Sequence, residues 1–145
     1  MRRIDCHVHL VGDGSSGTGC WLRTPNPARW LAARLMVRAA GLPLSAMKYG
    51  LDKVYLESLV ERIRESSLDA VVLLAMDLPY SDSGEALEGK ASFYVPNERV
   101  LELGASHPEL IPACSIHPGR PDAMDELDKC IAGGAKVMKL LPNCH

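Results

Sequence analysis

The sequence predicts an α/β fold in which four parallel strands alternate with helices. Residues 70–76 form an unbroken apolar run, which is typical of a strand buried on both faces of a parallel sheet. Helical patterns separate this run from the other strand-like segments, as in right-handed βαβ units. A strand-like run at the start of the chain also carries two histidines, His7 and His9, which is the first sign of chemistry.

The strands and helices follow one another in regular order. Asp52 is expected to cap a helix that runs to about residue 66, and Asn97 to cap one that ends at Pro108. Asp122 is expected to cap a third helix, closed by Gly133. The four strands are predicted at residues 4–10, 69–76, 110–116 and 135–141.

Two connections, residues 11–51 and 78–96, are unusually long. The first is opened by a glycine-rich polar stretch and is expected to contain an extra helix over residues 27–40. Both follow the carboxyl end of a predicted strand, which is where parallel α/β proteins build their sites.

Composition limits the classes of function. The chain has 145 residues, enough for one domain, with 47% hydrophobic and 23% charged residues. A net charge of −2 gives no basic surface for nucleic acid or an anionic membrane, and no apolar run is long enough to span a bilayer. The five scattered cysteines are typical of reduced thiols in a cytoplasmic protein, with Cys6, Cys114 and Cys130 expected to be buried.

The first strand carries the strongest candidate site. Alternation along a strand places Asp5, His7 and His9 on one face. Two imidazoles on one face can reach the same metal ion, and a nearby carboxylate can support such ligands. The alternative is a pair of histidines satisfied by hydrogen bonds. We favour the metal site, because burying these groups costs several kcal/mol unless each is paired or bound.

Lys139 lies on one face of the fourth predicted strand together with Val137 and Leu141. A buried lysine needs a partner or loses its charge. Three roles stay open: contact with a substrate carboxylate, a carbamate that bridges two metal ions, and an ion pair with a neighbouring carboxylate.

Residues after the third strand are candidates for substrate contact. His117 ends that strand at the same rim as His9 and is expected to contact substrate, to support the metal ligands, or simply to cap the strand. Arg120 can hold an anionic group with two hydrogen bonds, although a loop arginine is more often solvated. Asp77, which ends the second strand, is interpreted as a turn former.

These residues together resemble the amidohydrolase superfamily of metal-dependent (β/α)8-barrel hydrolases. The opening run Asp5-Cys6-His7-Val8-His9 is similar to the first strand of that family. Residues 93–97, 111–118 and 134–143 resemble its amidohydrolase-related branch, which also contains decarboxylases. The resemblance covers essentially the whole chain.

The resemblance implies a fold and a set of ligands. It implies that His7 and His9 bind a divalent metal, usually zinc, and that Lys139 bridges two metals as a carbamate in binuclear members. It also implies further ligands from strands five and six and an aspartate on strand eight, which have no counterpart in these 145 residues. Since a complete barrel needs roughly 250 residues, we expect the N-terminal half of a TIM barrel, a single partial domain over residues 1–145.

The resemblance further implies an enzyme that hydrolyses C–N or C–O bonds of a small molecule with metal-activated water. A decarboxylase of the same branch, a phosphoesterase with a His-x-His metal site, and a non-catalytic half-barrel that assembles with a partner are the alternatives. We expect the isolated chain to be inactive and to associate, either with itself or with a complementing C-terminal half, because four parallel strands leave open edges.

Overall fold

The computed structural model describes residues 1–141, apart from the side chain of Tyr49, and shows an α/β fold. Four strands form a curled sheet: β1 (Ile4–His9), β3 (Ala70–Leu74), β5 (Leu110–Ser115) and β6 (Val137–Lys139). A small antiparallel pair is formed by β2 (Trp21–Leu22) and β4 (Phe93–Tyr94). The α-helices are α1 (Pro27–Ala39), α2 (Ala46–Tyr49), α3 (Leu51–Glu65), α4 (Asn97–Ser106) and α5 (Ala123–Ala132), and a 3₁₀ turn spans Glu88–Lys90.

The predicted parallel sheet is confirmed. Its strands lie in the order β1, β3, β5, β6, and every neighbouring pair is parallel. The extra helix predicted over residues 27–40 is confirmed as α1, which Asn26 caps by accepting a hydrogen bond from the backbone of Arg29. The fourth strand is shorter than predicted, and residues 142 and 143 of the family resemblance lie outside the described residues.

Alternation along the strands divides the sheet into two faces. Val71 and Leu73 of β3 pack on the side of α3 and α4, in the largest apolar cluster of the described residues. Val72 and Leu74 point to the opposite, concave face, where they contact Ala113 of β5. The helices therefore cover one face of the curled sheet, and the other face lines its inside.

Two expected helix caps are wrong. Asp52 lies inside α3, which follows Gly50, and its buried side chain bonds to the loop after β1 instead of capping the helix. Asn97 is the first residue of α4, whose cap position is Pro96, and its side chain bonds across the structure to Ser115. In both cases tertiary partners take the side-chain oxygen that a local cap would have used.

Two smaller expectations need correction. Asp122 occupies the cap position of α5, but its carboxylate pairs with Arg120 and makes no capping bond. Cys6 is exposed rather than buried, whereas Cys114 and Cys130 are buried as expected. Cys6 is exposed because β1 is an edge strand of the described sheet.

The described helices are all short. Over residues 1–141, none is both long enough and apolar enough to cross a bilayer.

The packing of α4 on β5 generates a stability prediction. A Cβ placed on Gly104 would stand 2.7, 2.8 and 3.2 Å from three ring carbons of Pro112. We expect Gly104→Ala to lower the free energy of unfolding, since overpacking costs about 1–3 kcal/mol and outweighs the roughly 1 kcal/mol that alanine adds to a helix. Urea unfolding measures the change. Gly89→Ala is the control, because nothing lies within 4 Å of its Cβ position. A more stable Gly104→Ala chain would contradict this packing.

Candidate functional site

His7 and His9 lie together on the concave face at the end of β1. Their Nε2 atoms are 3.0 Å apart, and the two ring centroids are 4.9 Å apart. The side chains of Val8 and Leu10 point to the helix side, where both pack in the main core. The alternation predicted from the sequence therefore brings both imidazoles to one point.

Asp5 is placed differently from the two histidines. The pairing of β1 with β3 shifts register between Asp5 and Val8, so one extra residue is inserted there. The Asp5 carboxylate accepts a hydrogen bond of 2.9 Å from the backbone N–H of His7, not from its imidazole. Asp5 thus fixes the backbone that carries a candidate ligand, and its support of a bound metal stays a prediction.

His9 is half-buried, and the groups around it disfavour its charged form. Burial lowers the pKa of His9 below its ordinary value, and the nearby charges of Lys139 and His7 lower it further. Its backbone carbonyl accepts a hydrogen bond of 2.7 Å from the hydroxyl of Tyr55. The Nδ1 atom of His9 is buried and has no hydrogen-bond partner within the described residues. His9 is therefore held as a neutral imidazole, which is the form that binds metal.

Lys139 reaches the same concave region from the far edge of the sheet. Its side chain is buried and donates hydrogen bonds to the carbonyl oxygen of Ala75, at 3.2 Å, and to the sulfur of Met76, at 3.5 Å. Lys139 pairs in register with Ser115 of β5. Its ammonium faces the site from within the sheet, since its charge acts on His9.

His117 and Arg120 lie in the turn after β5. The backbone N–H of His117 donates to Asp77 Oδ2 at 2.8 Å, and Arg120 Nη1 lies 3.2 Å from the same oxygen. Arg120 also forms two hydrogen bonds with the Asp122 carboxylate, at 2.7 and 3.1 Å. Its side chain is only 14% exposed, so it is not a solvated loop arginine. Its contact with substrate stays a prediction.

Asp77 does more than form a turn. It accepts a hydrogen bond from the backbone of Leu78, as a turn former does, but it also links the end of β3 to the turn after β5. Sequence reasoning missed this link. An acidic residue at the end of one strand and an arginine just after the next strand were the signal, because parallel strand ends meet at one rim.

A buried polar network beneath this rim was also missed. Asn97 Oδ1 accepts from the backbone N–H of Ser115 at 2.8 Å, and Asn97 Nδ2 donates to Glu126 Oε1 at 2.7 Å. Arg120 Nη2 lies 3.9 Å from Glu126 Oε2. The network joins α4, β5 and α5, and so fixes the strand end that carries His117.

Asp52 organises the loop that follows His9. Its Oδ1 accepts from the backbone N–H groups of Asp13, at 2.5 Å, and Gly14, at 3.3 Å. Its Oδ2 accepts from the hydroxyl of Thr18 at 2.5 Å. The side chain is 5% exposed, and nothing in its local sequence announced this role.

The donor set fits a metal ion in part. Two ring nitrogens, each about 2.0–2.1 Å from a common zinc ion, stand about 3.3 Å apart at a tetrahedral angle, close to the observed separation. In residues 1–141, however, no group of three His, Cys, Asp or Glu side chains is arranged to hold a metal. His7 and His9 thus supply two ligands, and Lys139 would be a ligand only as a carbamate.

The largest groove found among these residues lies elsewhere. It has a volume of about 680 Å³ and lies between α3 and His107, with none of the candidate site residues in its lining. The candidate site is instead the open concave rim where the strands end.

The Asp52 cluster generates a second prediction. Asp52→Asn replaces one acceptor oxygen by an NH₂ group that faces donors, and we expect it to lower the free energy of unfolding by about 1–3 kcal/mol. Chemical denaturation measures the loss. Asp82→Asn removes an exposed carboxylate and is expected to change little. Equal effects of the two substitutions would show that the buried acceptor is unimportant.

The charge of Lys139 generates a third prediction. In the metal-free chain, Lys139→Gln removes a cation that lowers the pKa of His9, so this pKa is expected to rise. It is expected to stay below the ordinary value of 6.5, because burial is the largest cause of the shift. NMR titration of the His9 ring measures it, with Lys136→Gln as the control. An unchanged or lower pKa in Lys139→Gln would place the ammonium away from His9.

Comparisons with known proteins identify no relative: no protein-family model, curated protein or solved structure matches this chain. The likeness to the amidohydrolase superfamily therefore depends on the motif residues, and the functional argument depends on the geometry of the concave rim.

Proposed function

We propose that this chain is the N-terminal half of a metal-dependent (β/α)8 hydrolase of the amidohydrolase type. The observation that carries the proposal is the meeting of His7 and His9, whose Nε2 atoms lie 3.0 Å apart at the carboxyl end of β1. In parallel α/β proteins this end of the strands is the one at which sites are built. The proposed cofactor is a divalent metal ion, zinc by preference, and the proposed substrate is a small molecule.

A hydrogen bond between the two rings explains this meeting less well. Whichever ring donates through Nε2, the buried Nδ1 of His9 gains no partner among residues 1–141. An unpaired buried polar atom costs about 1–3 kcal/mol. A pair kept only for structure would thus carry a penalty with no evident return, whereas a metal site needs both rings turned this way.

The half-barrel identity is supported by the shape of the sheet and by what it leaves uncovered. In residues 1–141, β1 and β6 each pair on one side only. Ile4 and Val137, on these two edge strands, are 38% and 40% exposed. Because parallel sheets are normally covered on both faces, we propose that a second half-barrel closes the concave side. Either a complementing C-terminal half or a second copy of the chain can supply it.

The chemistry divides between the metal and the chain. A bound divalent metal supplies a lowered pKa for water and polarises a carbonyl oxygen. His7 and His9 hold the ion, Asp5 fixes the backbone of His7, and His117 contacts the substrate from β5. The remaining ligands and the base that orients water come from outside residues 1–141.

Metal uptake tests the proposal. We expect the chain to bind zinc, and His7→Asn and His9→Asn each to weaken binding by about tenfold or more, since even loss of an outer partner costs roughly 10- to 100-fold. Competition with a zinc-chelating dye measures the affinity.

His107→Asn is the matched control, because this histidine ends α4 on the far side of β5 from the rim. A chain that takes up no zinc would contradict the proposal. So would a loss of affinity in His107→Asn equal to that in the two rim variants.

A further inference from the structure

His117 is held with a defined pattern of ring hydrogen bonds. The backbone N–H of Gly119 donates to its Nδ1 atom at 2.9 Å. A ring nitrogen that accepts a hydrogen bond carries no proton, so the proton of the neutral ring is on Nε2. We propose that His117 is locked in this tautomer and serves the site as a hydrogen-bond donor to a carboxylate or carbonyl oxygen of the substrate. This deepens the proposed function and depends on it for the identity of the site.

The ring has little room to turn away from Gly119. A Cβ on Gly119 would stand 3.1 Å from both Cε1 and Nδ1 of the imidazole. The ring of Tyr80 packs on the other side, with centroids 5.3 Å apart, and the residue is 5% exposed. A side chain at position 119 would push the ring off its donor, so glycine here keeps the contact.

The backbone beneath the ring is fixed by charge. Asp77 Oδ2 accepts from the N–H of His117 at 2.8 Å and pairs with Arg120 at 3.2 Å. The N–H of Arg120 in turn donates to the carbonyl of His117 at 3.1 Å, which closes the turn. Asp122 holds the guanidinium from a second side. Asp77 and Arg120 are therefore positioning residues for His117.

The tautomer decides what His117 can do. With Nδ1 accepting and Nε2 protonated, neither nitrogen offers a lone pair to a metal ion or to a substrate proton. The ring is then neither a third metal ligand nor a general base. What it offers is one N–H on the concave side of β5, since Ile116 before it packs on the helix side.

The experiment is a long-range ¹H–¹⁵N correlation on the whole chain labelled with ¹⁵N-histidine, metal-free and at neutral pH. His117→Gln assigns the signals by deleting one ring. We expect the His117 ring to give the single pattern of an Nε2–H tautomer. An Nδ1–H pattern, or averaging of both tautomers, would overturn the proposal. This measurement needs no variant to report on the native ring.

Variants test the positioning residues. Arg120→Gln and Asp77→Asn are expected to turn the single pattern into a mixture, and Arg120→Lys to restore most of it because it keeps the charge. Arg64→Gln, which breaks the remote pair with Glu109, is the control and is expected to change nothing. A single pattern retained in both Arg120→Gln and Asp77→Asn would overturn the positioning role.

Acetate serves as the probe for the substrate oxygen. We expect a saturable shift of the His117 Nε2–H signal as acetate is added. No shift would overturn the donor role. Zinc uptake, measured separately, distinguishes this inference from the proposed function. A chain that binds zinc through His7 and His9 but has an Nδ1–H ring at His117 would refute the inference alone.

Discussion

Alternation of side chains along the strands of a curled parallel sheet is the constraint on which this structure depends. Val8 and Leu10 of the first strand pack under helices, so His7 and His9 must face the inside of the curl. The same alternation sends Ile116 into the helix side, which leaves His117 for the inside. One geometric rule therefore builds the core and the candidate site together.

Polar groups at the rim depend on buried hydrogen bonds, because loops alone do not fix a site. Asp52 holds the loop after the metal-binding strand through two backbone N–H groups and a hydroxyl. Asn97 holds the end of β5 in the same way through Ser115. Both carboxamide and carboxylate are 5% exposed, where losing one partner costs the full desolvation of the group. The rim is thus rigid where it carries histidines.

The candidate site is chemically one-sided within the described residues. His7, His9 and Lys139 bring nitrogen donors to the concave face, while the nearby carboxylate of Asp77 is bound to Arg120 and to the backbone of His117. A metal ion and an oxygen-bearing substrate suit such a set. The two free strand edges and the missing third ligand point to the same need, which is a second half that closes the sheet.

The sequence by itself determined the parallel order of strands, the extra helix of the first long connection and the shared face of His7 and His9. These follow from period-two patterns and local turn signals, which are properties of short segments. Only the tertiary structure decided that Asp52 and Asn97 leave their helix caps and that Arg120 pairs with Asp77. It alone also decided that Gly119 sets the proton of His117. Such choices depend on partners far apart in the chain or on a turn geometry that composition does not encode, so no local pattern announces them.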